Sequence, residues 1–239
     1  MGAAQCLPAA TEPPPLQSLQ LRLAQALGAA VGVACRDVDG DPDLLWPSER
    51  TSIQKAVATR QREYAAGRGA AREAMRQIGC APACIPSAPD RSPVWPAGLA
   101  GSIAHGGGVC VAVVGRRHHV HAVGIDVEKD LPMEPALWPS LCTADELACV
   151  EQLPPHERGR QVTWLFCAKE AFYKWQYPQT GRMLDFRDVR VAFSDDATHF
   201  DVQAASAHNP VPRCSRLGGL ITTHGLALAW MVGPPAPAS

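Results

Sequence analysis

The chain has 239 residues, which suits one large domain or two smaller ones, and its apolar fraction of 46% is that of an ordinary globular protein. Its net charge of -1 gives no overall attraction to nucleic acid or to a membrane surface, so any anion site must be local. With no apolar run as long as a membrane span and no recognisable signal peptide, we expect a cytoplasmic protein whose nine cysteines are reduced thiols.

Both ends of the sequence are weak candidates for ordered structure. Residues 1–17 are rich in alanine and proline, and the tail, 234–239, is similar, so we expect a disordered N-terminal segment and a flexible tail. Between them, no internal repeat is evident in the sequence. A helical region with a possible break is predicted from Ser48, a good N-cap residue, to Ile78, and Gly79 is a natural stop.

This first helical region carries a local excess of positive charge. From Arg50 to Ile78 its basic residues outnumber its acidic residues, Glu63 and Glu73, by five. The basic residues are Arg50, Lys55, Arg60, Arg62, Arg68, Arg72 and Arg76. A solvated helix face explains most of them, whereas an anion site would use a few, such as Arg68 and Arg72, which are one turn apart on one face.

The remaining sequence mixes helices and strands. Residues 81–98 are rich in proline and predict an irregular loop. Thr143 and Glu146 form a capping box that opens a short helix, closed by Pro154 and Pro155. Apolar residues at helical spacing predict a longer helix over 160–177. Strands are predicted at 109–114, 122–127, 189–193, 200–204 and 226–232. This mixture indicates an α+β or α/β fold.

The segment Gly124-Ile125-Asp126-Val127-Glu128 places two carboxylates on one face of a predicted strand. Side chains alternate between the faces of a strand, so Asp126 and Glu128 project together while Ile125 and Val127 point into the core. Adjacent carboxylates repel each other unless a cation lies between them, and such hard oxygen ligands suit magnesium. Two solvated acids at a strand end are the alternative interpretation.

Glu170 and Lys174 lie one turn apart in the longer helix and share a face. An ordinary intrahelical ion pair explains this spacing, and a carboxylate for the metal with an ammonium for a phosphate is the functional alternative. Upstream, His105 precedes three glycines at a predicted turn before a strand, where bare NH groups could cradle an anion. A plain surface turn explains the same residues.

Together these segments resemble phosphopantetheinyl transferases of the surfactin and enterobactin type. That family carries a GIDxE strand, a (W/F)xxKExxxK helix further along the chain and an SxxH-type turn upstream of the strand. Here the three segments are GIDVE at 124–128, FCAKEAFYK at 166–174 and SIAH at 102–105. Their order and spacing agree with the family.

Further segments resemble the enterobactin-like branch of the family. They are REYAAGR at 62–68, RSPVWP at 91–96 and KWQYP at 174–178, and the whole resemblance covers about residues 45 to 230. The sequence departs from the family at Ala104, where a Ser or Thr usually precedes the histidine. Phe166 replaces the tryptophan of the surfactin branch, as is usual in the enterobactin branch.

The resemblance implies an α+β fold of two similar-sized α/β subdomains related by a pseudo-twofold axis, with the active site at their interface. The N-terminal subdomain, 18–120, would contact the phosphates of coenzyme A. The C-terminal subdomain, 121–233, would carry the magnesium-binding acids and the catalytic helix. Because the fold is itself pseudo-dimeric, we expect a monomer.

The resemblance also implies the residues of the site. Asp126, Glu128 and Glu170 would hold Mg2+. Glu170 and Lys174 would be catalytic, with Glu170 as the base, directly or through a metal-bound water. The side chains that would bind coenzyme A are Arg60, Arg68, Arg91, His105, Lys169 and Lys174.

The expected activity is the transfer of the 4′-phosphopantetheine arm of coenzyme A to a serine of an apo carrier protein, with release of 3′,5′-ADP. The chain would be a holo-[acyl-carrier-protein] synthase that serves polyketide, nonribosomal peptide or siderophore synthases. Its expected partners are coenzyme A and acyl, peptidyl or aryl carrier domains, with neither nucleic acid nor a membrane. A different magnesium-dependent phosphohydrolase and a non-catalytic coenzyme A-binding protein are the alternatives.

Overall fold

The computed structural model describes residues 16–206 and 214–233, apart from the side chains of 214–217. The helices are α1 (Leu16–Leu27), α2 (Pro47–Ile53), α3 (Ala58–Gln77), α4 (Trp138–Leu141), α5 (Ala144–Glu151) and α6 (Pro155–Thr180). The strands are β1 (Val31–Asp37), β2 (Leu99–Gly106), β3 (Val109–Arg116), β4 (Val123–Lys129), β5 (Val189–Phe193), β6 (His199–Ala204), β7 (Cys214–Thr223) and β8 (Leu226–Val232).

The strands form two antiparallel sheets, each covered by one long helix. The first sheet has the order β1-β3-β2, and the second has the order β4-β8-β7-β6-β5. Helix α3 packs across β1 and β3, and α6 packs across β4 and β8. Helix α3 approaches its sheet closely because the face that it buries is lined by the small side chains of Ala70, Ala71 and Ala74. Segregated helices on antiparallel sheets confirm the predicted α+β class.

The two halves of the chain follow one topological plan. In each half a first strand (β1 or β4) leads into a short helix and then the long helix, and a hairpin (β2–β3 or β7–β8) follows. The last strand of that hairpin then pairs with the first strand of the same half. The repeated plan agrees with the pseudo-twofold arrangement that the resemblance implies.

A close approach between strand and helix recurs in both halves. A Cβ atom on Gly32 of β1 would lie 2.1 Å from the carbonyl oxygen of Ala74 in α3. A Cβ atom on Gly124 of β4 would lie 1.9 Å from the carbonyl oxygen of Ala171 in α6. Each long helix therefore rests on its first strand at a position where only glycine fits.

A buried glutamate ties the short helix of the first half to the long one. Glu49 is 0% exposed, accepts a hydrogen bond from the Trp46 amide at the start of α2, and pairs with the Arg72 guanidinium of α3 at 2.9 Å. It also accepts from the Ile85 amide at 2.8 Å, beyond the end of α3. One carboxylate thus holds three segments together, and these hydrogen bonds offset the cost of its burial.

The second half contains the counterpart of that contact. Glu146 is 3% exposed, and its capping box with Thr143 opens α5 as the sequence predicts. The same carboxylate pairs with the Lys169 ammonium of α6 at 2.7 Å and accepts from the Val191 amide of β5 at 2.8 Å. The arrangement repeats that of Glu49, with a lysine in place of the arginine.

These correspondences define an internal repeat. The same number of residues separates Glu49 from Glu146 and Arg72 from Lys169, and the starts of α2 and α3 are offset from those of α5 and α6 by that interval. Within it, AAREAM at 70–75 corresponds to CAKEAF at 167–172. No repeat is evident in the sequence alone, although the pseudo-twofold fold that the resemblance implies predicts one. The repeat escapes notice because it rests on few identities that become equivalent only through their contacts.

Several element predictions need correction. Ser48 is not an N-cap, because α2 begins at Pro47 after Trp46, and proline suits the first turn of a helix. For the same reason Pro155 opens α6 instead of closing the helix before it. The sequence predicts neither α1 nor β7, and it misses β1 because the first five residues of that strand are all buried and show no alternation.

The predicted ends and boundary fall in different parts of the structure. Residues 16 and 17 belong to α1, so the predicted disordered segment ends too late, and its other residues, 1–15, lie outside the described part of the chain. The tail, 234–239, also lies outside it. The proposed subdomain boundary between 120 and 121 falls in the connection from β3 to β4.

The two halves meet where β2 lies beside β4. The Ser102 hydroxyl of β2 accepts a hydrogen bond from the Ile125 amide of β4 at 3.1 Å. Ile125 and Val127 are 0% exposed and pack in a shared core with residues of both sheets, including Val111 and Val113 of β3. This seam brings the end of β2 next to the acidic face of β4.

Candidate functional site at the seam between the halves

Strand β4 presents its two acids as the alternation predicts. Ile125 and Val127 are fully buried on one face, while Asp126 and Glu128 lie together on the other. Asp126 is only 5% exposed, and Glu128 is partly buried. The alternative of two solvated acids at a strand end is therefore excluded for this pair.

Helix α6 brings Glu170 and Lys174 against this acidic face. The Lys174 Nζ donates a hydrogen bond to Asp126 Oδ1 at 2.6 Å, and the Lys174 side chain is 31% exposed. Lys174 of α6 therefore pairs with Asp126 of β4, and the interpretation as an ordinary ion pair within the helix does not account for this contact. The other carboxylate oxygen, Asp126 Oδ2, is buried and has no hydrogen-bond partner among the described residues.

The cluster holds more negative charge than Lys174 neutralises. Burial, together with the Asp126 and Glu170 carboxylates, raises the pKa of Glu128 to about 7 against the opposing effect of Lys174. Burial and Asp126 also raise the pKa of Glu170, although Lys174 opposes them. Burial lowers the pKa of Lys174, but Asp126 and Glu170 outweigh burial and raise it above its usual value. The three carboxylates of this cluster therefore carry more charge than the single ammonium of Lys174 balances.

This donor set fits a hard divalent cation. Carboxylate oxygens are the ligands that Mg2+ prefers, and Asp126 Oδ2 is a buried acceptor without a donor. As they stand, the acids do not converge, since no group of three or more His, Cys, Asp or Glu side chains within 16–206 and 214–233 is arranged to hold a metal ion. In this arrangement the ammonium of Lys174 serves as the counter-charge at Asp126.

His105 lies at the end of β2 and not in the turn where the sequence places it. The turn follows at Gly107 and Gly108, both of which have positive φ. His105 Nε2 lies 2.7 Å from Arg60 Nη1 and 3.2 Å from Glu63 Oε2, and Arg60 Nη1 is also 3.2 Å from that oxygen. Because an arginine only donates, a hydrogen bond from Arg60 requires an Nε2 without a proton, as in the Nδ1–H form of a neutral imidazole.

The surroundings of His105 link the first half to the acid cluster. Burial and the Arg60 guanidinium lower the pKa of His105, while Glu63 opposes this. Lys174 and Asp126 are close enough to shift the same pKa in opposite senses. The start of α3, the end of β2 and the acidic face of β4 therefore meet in one place.

Arg68 is held more tightly than a free anion ligand would be. It is 6% exposed, and its guanidinium carbon lies 3.9 Å from the ring centroid of Tyr64. Its Nε donates to the Ile85 carbonyl at 2.7 Å, and its Nη2 donates to the Ser87 hydroxyl at 3.1 Å. Arg68 thus fixes the start of the proline-rich loop, and its remaining donors are what it could offer to a phosphate.

The predicted irregular loop is confirmed, and it carries Arg91 at its tip. Apart from one isolated bridge between Ser87 and Pro93, the segment 79–98 contains neither a strand nor a helix. Arg91 is exposed and has a φ of 70°. Its guanidinium has no hydrogen-bond or ion-pair partner among the described residues and is available to a ligand.

Lys169 is not part of this cluster. It is 0% exposed, and its Nζ donates to the Leu141 carbonyl, Glu146 Oε2 and the Phe186 carbonyl at 2.9, 2.7 and 2.7 Å. Three acceptors satisfy the three donors of an ammonium, so none is left for a phosphate. This corrects the prediction that Lys169 binds coenzyme A. Its neighbour Glu170 faces the site because consecutive residues of a helix point in different directions.

The sequence also conceals several residues that shape the site. Glu63 bridges Arg60 and His105, and Ser102 holds β2 against β4. Asp90 accepts a hydrogen bond from the Tyr177 hydroxyl at 2.6 Å, which joins the loop to α6. Apart from the Arg60–Glu63 pair within α3, these contacts join residues far apart in sequence, so no local pattern predicts them.

A cluster of carboxylates with one ammonium, flanked by a histidine and arginines at the seam of two α/β halves, is typical of enzymes that transfer phosphate-linked groups. Such chemistry requires mainly positioning and charge stabilisation from the protein. The fold and the site therefore define an enzyme of this class.

Comparison with known proteins identifies the family within this class. Residues 48–115 match the sequence model of the 4′-phosphopantetheinyl transferase N-terminal domain, and residues 122–211 match that of the 4′-phosphopantetheinyl transferase superfamily. The chain is 36% identical to the 4′-phosphopantetheinyl transferase PptT of Mycobacterium tuberculosis, over 70% of this chain and 74% of that protein.

Two further relatives show the same relationship. The chain is 34% identical to the 4′-phosphopantetheinyl transferase Svp of Streptomyces mobaraensis, over 78% of this chain and 76% of that protein. It is 37% identical to the enterobactin synthase component D of Salmonella typhimurium, over 69% of this chain and 68% of that protein. The chain belongs to the phosphopantetheinyl transferase family, which confirms the resemblance seen in its motifs.

The family defines the chain as a transferase that acts on carrier proteins, with coenzyme A as co-substrate. Within 16–206 and 214–233, none of the helices combines the length and apolarity that crossing a bilayer requires. Seven cysteines of the described residues are free, in agreement with the expectation of reduced thiols.

Proposed function

We propose that this chain transfers the 4′-phosphopantetheine arm of coenzyme A to a serine of an apo carrier protein in a Mg2+-dependent reaction. The observation that carries the proposal is the acid cluster at the seam, where buried Asp126 Oδ2 has no partner and Lys174 neutralises only part of the charge. A phosphohydrolase would share the acids, but family membership favours transfer to a carrier. A non-catalytic scaffold protein would be expected to lack part of the acid set, which is complete here.

Asp126, Glu128 and Glu170 would hold the magnesium ion. When bound, the ion neutralises charge on the pyrophosphate of coenzyme A and on the departing phosphate. The raised pKa of Glu128, about 7, indicates that this acid lacks a cation in the protein alone. With the ion present, Lys174 becomes available to a phosphate as a mobile point charge.

The reaction joins the carrier serine to the β-phosphate of coenzyme A. The serine oxygen forms the new O–P bond, the pyrophosphate linkage breaks, and 3′,5′-ADP leaves with its bonding electron pair. The serine proton passes to Glu170, directly or through a water. In the protein without the ion, burial raises the pKa of the Glu170 carboxyl.

The flanking cations would bind the phosphates of coenzyme A. His105 and Arg60 lie beside the acid cluster and form one hydrogen-bonded unit. Arg91 is exposed on the loop tip, and Arg68 supports the base of the same loop. We assign Arg60, Arg91, His105 and Lys174 to phosphate contacts, and Arg68 to the 3′-phosphate through the donors that its loop contacts leave free.

We further propose that the chain acts in the cytoplasm as a monomer of two subdomains, 18–120 and 121–233. Relatives named enterobactin synthase component D make siderophore carriers its first candidate partners, alongside polyketide and nonribosomal peptide carriers. These acyl, peptidyl and aryl carrier domains all offer a serine, so the choice among them lies in surface contacts.

Incubation with coenzyme A and a panel of apo carrier proteins, followed by mass spectrometry of the carriers, tests this function. We expect a mass gain of one phosphopantetheine on at least one carrier with magnesium present, and none after chelation. Release of phosphate without carrier modification would indicate a phosphohydrolase. Coenzyme A binding without any turnover would indicate a scaffold protein.

A further inference from the structure

The loop between α3 and β2 spans the seam. Its central part, residues 86–94, which we call the strap, is closed at its base by the Val94 amide, which donates to the Pro86 carbonyl at 2.8 Å. The base is fastened to the first half, where the Ser87 hydroxyl contacts Arg68 Nη2 at 3.1 Å and the Tyr64 hydroxyl at 3.2 Å. The strap therefore starts from the arginine-bearing face of α3.

The tip of the strap is fastened to the second half through Asp90. Its Oδ1 accepts hydrogen bonds from the amide and the hydroxyl of Ser92, at 2.9 and 2.7 Å. Its Oδ2 accepts from the Tyr177 hydroxyl of α6 at 2.6 Å. One carboxylate thus shapes the turn at the tip and joins it to the opposite half.

Tyr177 lies on the functional face of α6. It is three residues beyond Lys174 and seven beyond Glu170, and both intervals place side chains on one face of a helix. The strap consequently runs from the Tyr64 and Arg68 face of α3 to the Lys174 face of α6. Binding of the coenzyme A phosphates between the halves, as proposed, would place them next to the strap.

Arg91 follows Asp90 directly and has the left-handed φ of 70° that non-glycine residues rarely adopt. The surrounding turn must therefore impose this conformation, and Asp90 supplies contacts on both sides of it. The Tyr177 and Ser92 hydroxyls lower the pKa of Asp90 to about 2, so this carboxylate stays ionised at neutral pH.

We propose that the Asp90–Tyr177 hydrogen bond is a positioning contact that holds the strap across the seam and presents Arg91 to the phosphates of coenzyme A. Tyr177 itself need not touch the substrate. This inference rests on the proposed function, because it needs coenzyme A to bind between the halves. It adds a role for two residues that the acid cluster does not use.

Tyr177→Phe removes the hydroxyl and keeps the ring. We expect its KM for coenzyme A to rise about fivefold to tenfold, with kcat and the KM for the carrier unchanged. Arg91→Ala should raise the same KM. The double variant Tyr177→Phe/Arg91→Ala should be no worse than Arg91→Ala alone, because Tyr177 acts through Arg91. Asp90→Asn keeps an acceptor oxygen, so its KM for coenzyme A should rise less than that of Asp90→Ala.

Limited trypsin digestion tests the Asp90–Tyr177 hydrogen bond, which we call the latch, without any ligand. We expect faster cleavage after Arg91 in Tyr177→Phe than in the wild type, because the tip is released. Thr180→Val is the matched control, since it removes a hydroxyl on the same helix whose contacts, with Gln176 and the Arg182 amide, stay at the end of α6 and do not reach the strap. Its cleavage rate and coenzyme A affinity should equal those of the wild type.

Calorimetric titration with coenzyme A separates the two proposals. Wild-type binding with weaker binding by Tyr177→Phe, together with faster cleavage, supports the latch. Equal binding and equal cleavage in an enzyme that modifies its carrier overturns the latch alone. A wild-type protein that neither binds coenzyme A nor modifies any carrier overturns the proposed function and the latch with it. Additive losses in the double variant would assign Tyr177 a role apart from Arg91.

Discussion

At Asp126 the two oxygens of one carboxylate differ in their surroundings. Oδ1 accepts from the Lys174 ammonium at 2.6 Å, whereas Oδ2 is buried without a partner. An unpaired buried acceptor costs about 1–3 kcal/mol, so the protein without a ligand holds this residue at a disadvantage. A cation at Oδ2 would remove that cost, and the same burial that destabilises the fold favours metal binding.

Glu128→Gln tests this trade between stability and function. A folded-state pKa of about 7, above the usual value of 4.5, means that the ionised carboxylate destabilises the fold as pH rises from about 4.5 to 7. The variant should therefore be more stable than the metal-free wild type at pH 8, by about 1–2 kcal/mol after allowance for solvent screening. At pH 4, where the wild-type side chain is protonated, the difference should vanish.

Urea unfolding in the presence of a chelator measures this difference. Added magnesium should then stabilise the wild type and have less effect on Glu128→Gln. A variant that is less stable than the wild type at pH 8 would show that Glu128 is stabilised by partners other than a missing cation.

At the scale of elements, each short helix is locked to its long helix by one buried carboxylate. Glu49 with Arg72, and Glu146 with Lys169, occupy equivalent places in the two halves. Lys169, which the sequence motif associates with coenzyme A, is therefore a structural residue. The Lys169–Glu146 contact fixes the rotation of α6 about its axis, and this rotation points the neighbouring Glu170 towards Asp126.

Lys169→Met should therefore act on stability. It leaves Glu146 buried without its ammonium and should cost about 3–5 kcal/mol in the free energy of unfolding. The double variant Lys169→Met/Glu146→Gln should recover much of the loss. Denaturant unfolding measures both, and coenzyme A affinity of the folded protein should be unchanged. A stable Lys169→Met protein with weakened coenzyme A binding would instead return Lys169 to the site.

Gly124→Ala tests the approach of α6 to β4. The new Cβ would overlap the Ala171 carbonyl oxygen at 1.9 Å and push the helix that carries Glu170 away from Asp126. We expect a loss of about 3 kcal/mol in stability and a larger loss in activity. Gly32→Ala, at the equivalent place in the first half, should destabilise similarly but spare the geometry of the acids. Equal losses of activity in the two folded variants would contradict this.

Over the whole molecule, the two halves repeat one plan, but only the second half carries the acid cluster. The repeat relates Glu73 of α3 to Glu170 of α6, yet Glu73 pairs with Arg36 of β1 at 3.2 Å, whereas Glu170 faces the acids of β4. In the first half, Arg36 of the strand neutralises the glutamate of the long helix. In the second half, the strand offers only acids to the equivalent glutamate, Glu170. The repeated fold thus places the acid cluster in one half only, at its seam with the other.

The extent to which sequence predicts this molecule follows from the range of each contact. Asp126, Glu128, Glu170 and Lys174 are recognisable because strand and helix periodicity fix their faces locally. Strand β1 and the Asp90–Tyr177 contact are not, because the first is buried on both faces and the second joins residues far apart in the chain. Lys169 lies in a local motif that is easy to recognise, but its role depends on a contact with Glu146 that the motif does not predict.

The central claim is that the cluster around Asp126 is the magnesium-dependent centre of arm transfer. The most direct measurement is the rate at which Asp126→Ala modifies an apo carrier in the presence of coenzyme A and magnesium, followed by mass spectrometry. We expect a loss of about a thousandfold or more with the fold intact, because removing one acid relieves repulsion in the cluster. The exposed acid Asp145, changed to Asn, is the control and should retain the wild-type rate. A folded Asp126→Ala protein that modifies the carrier at the wild-type rate would contradict the account.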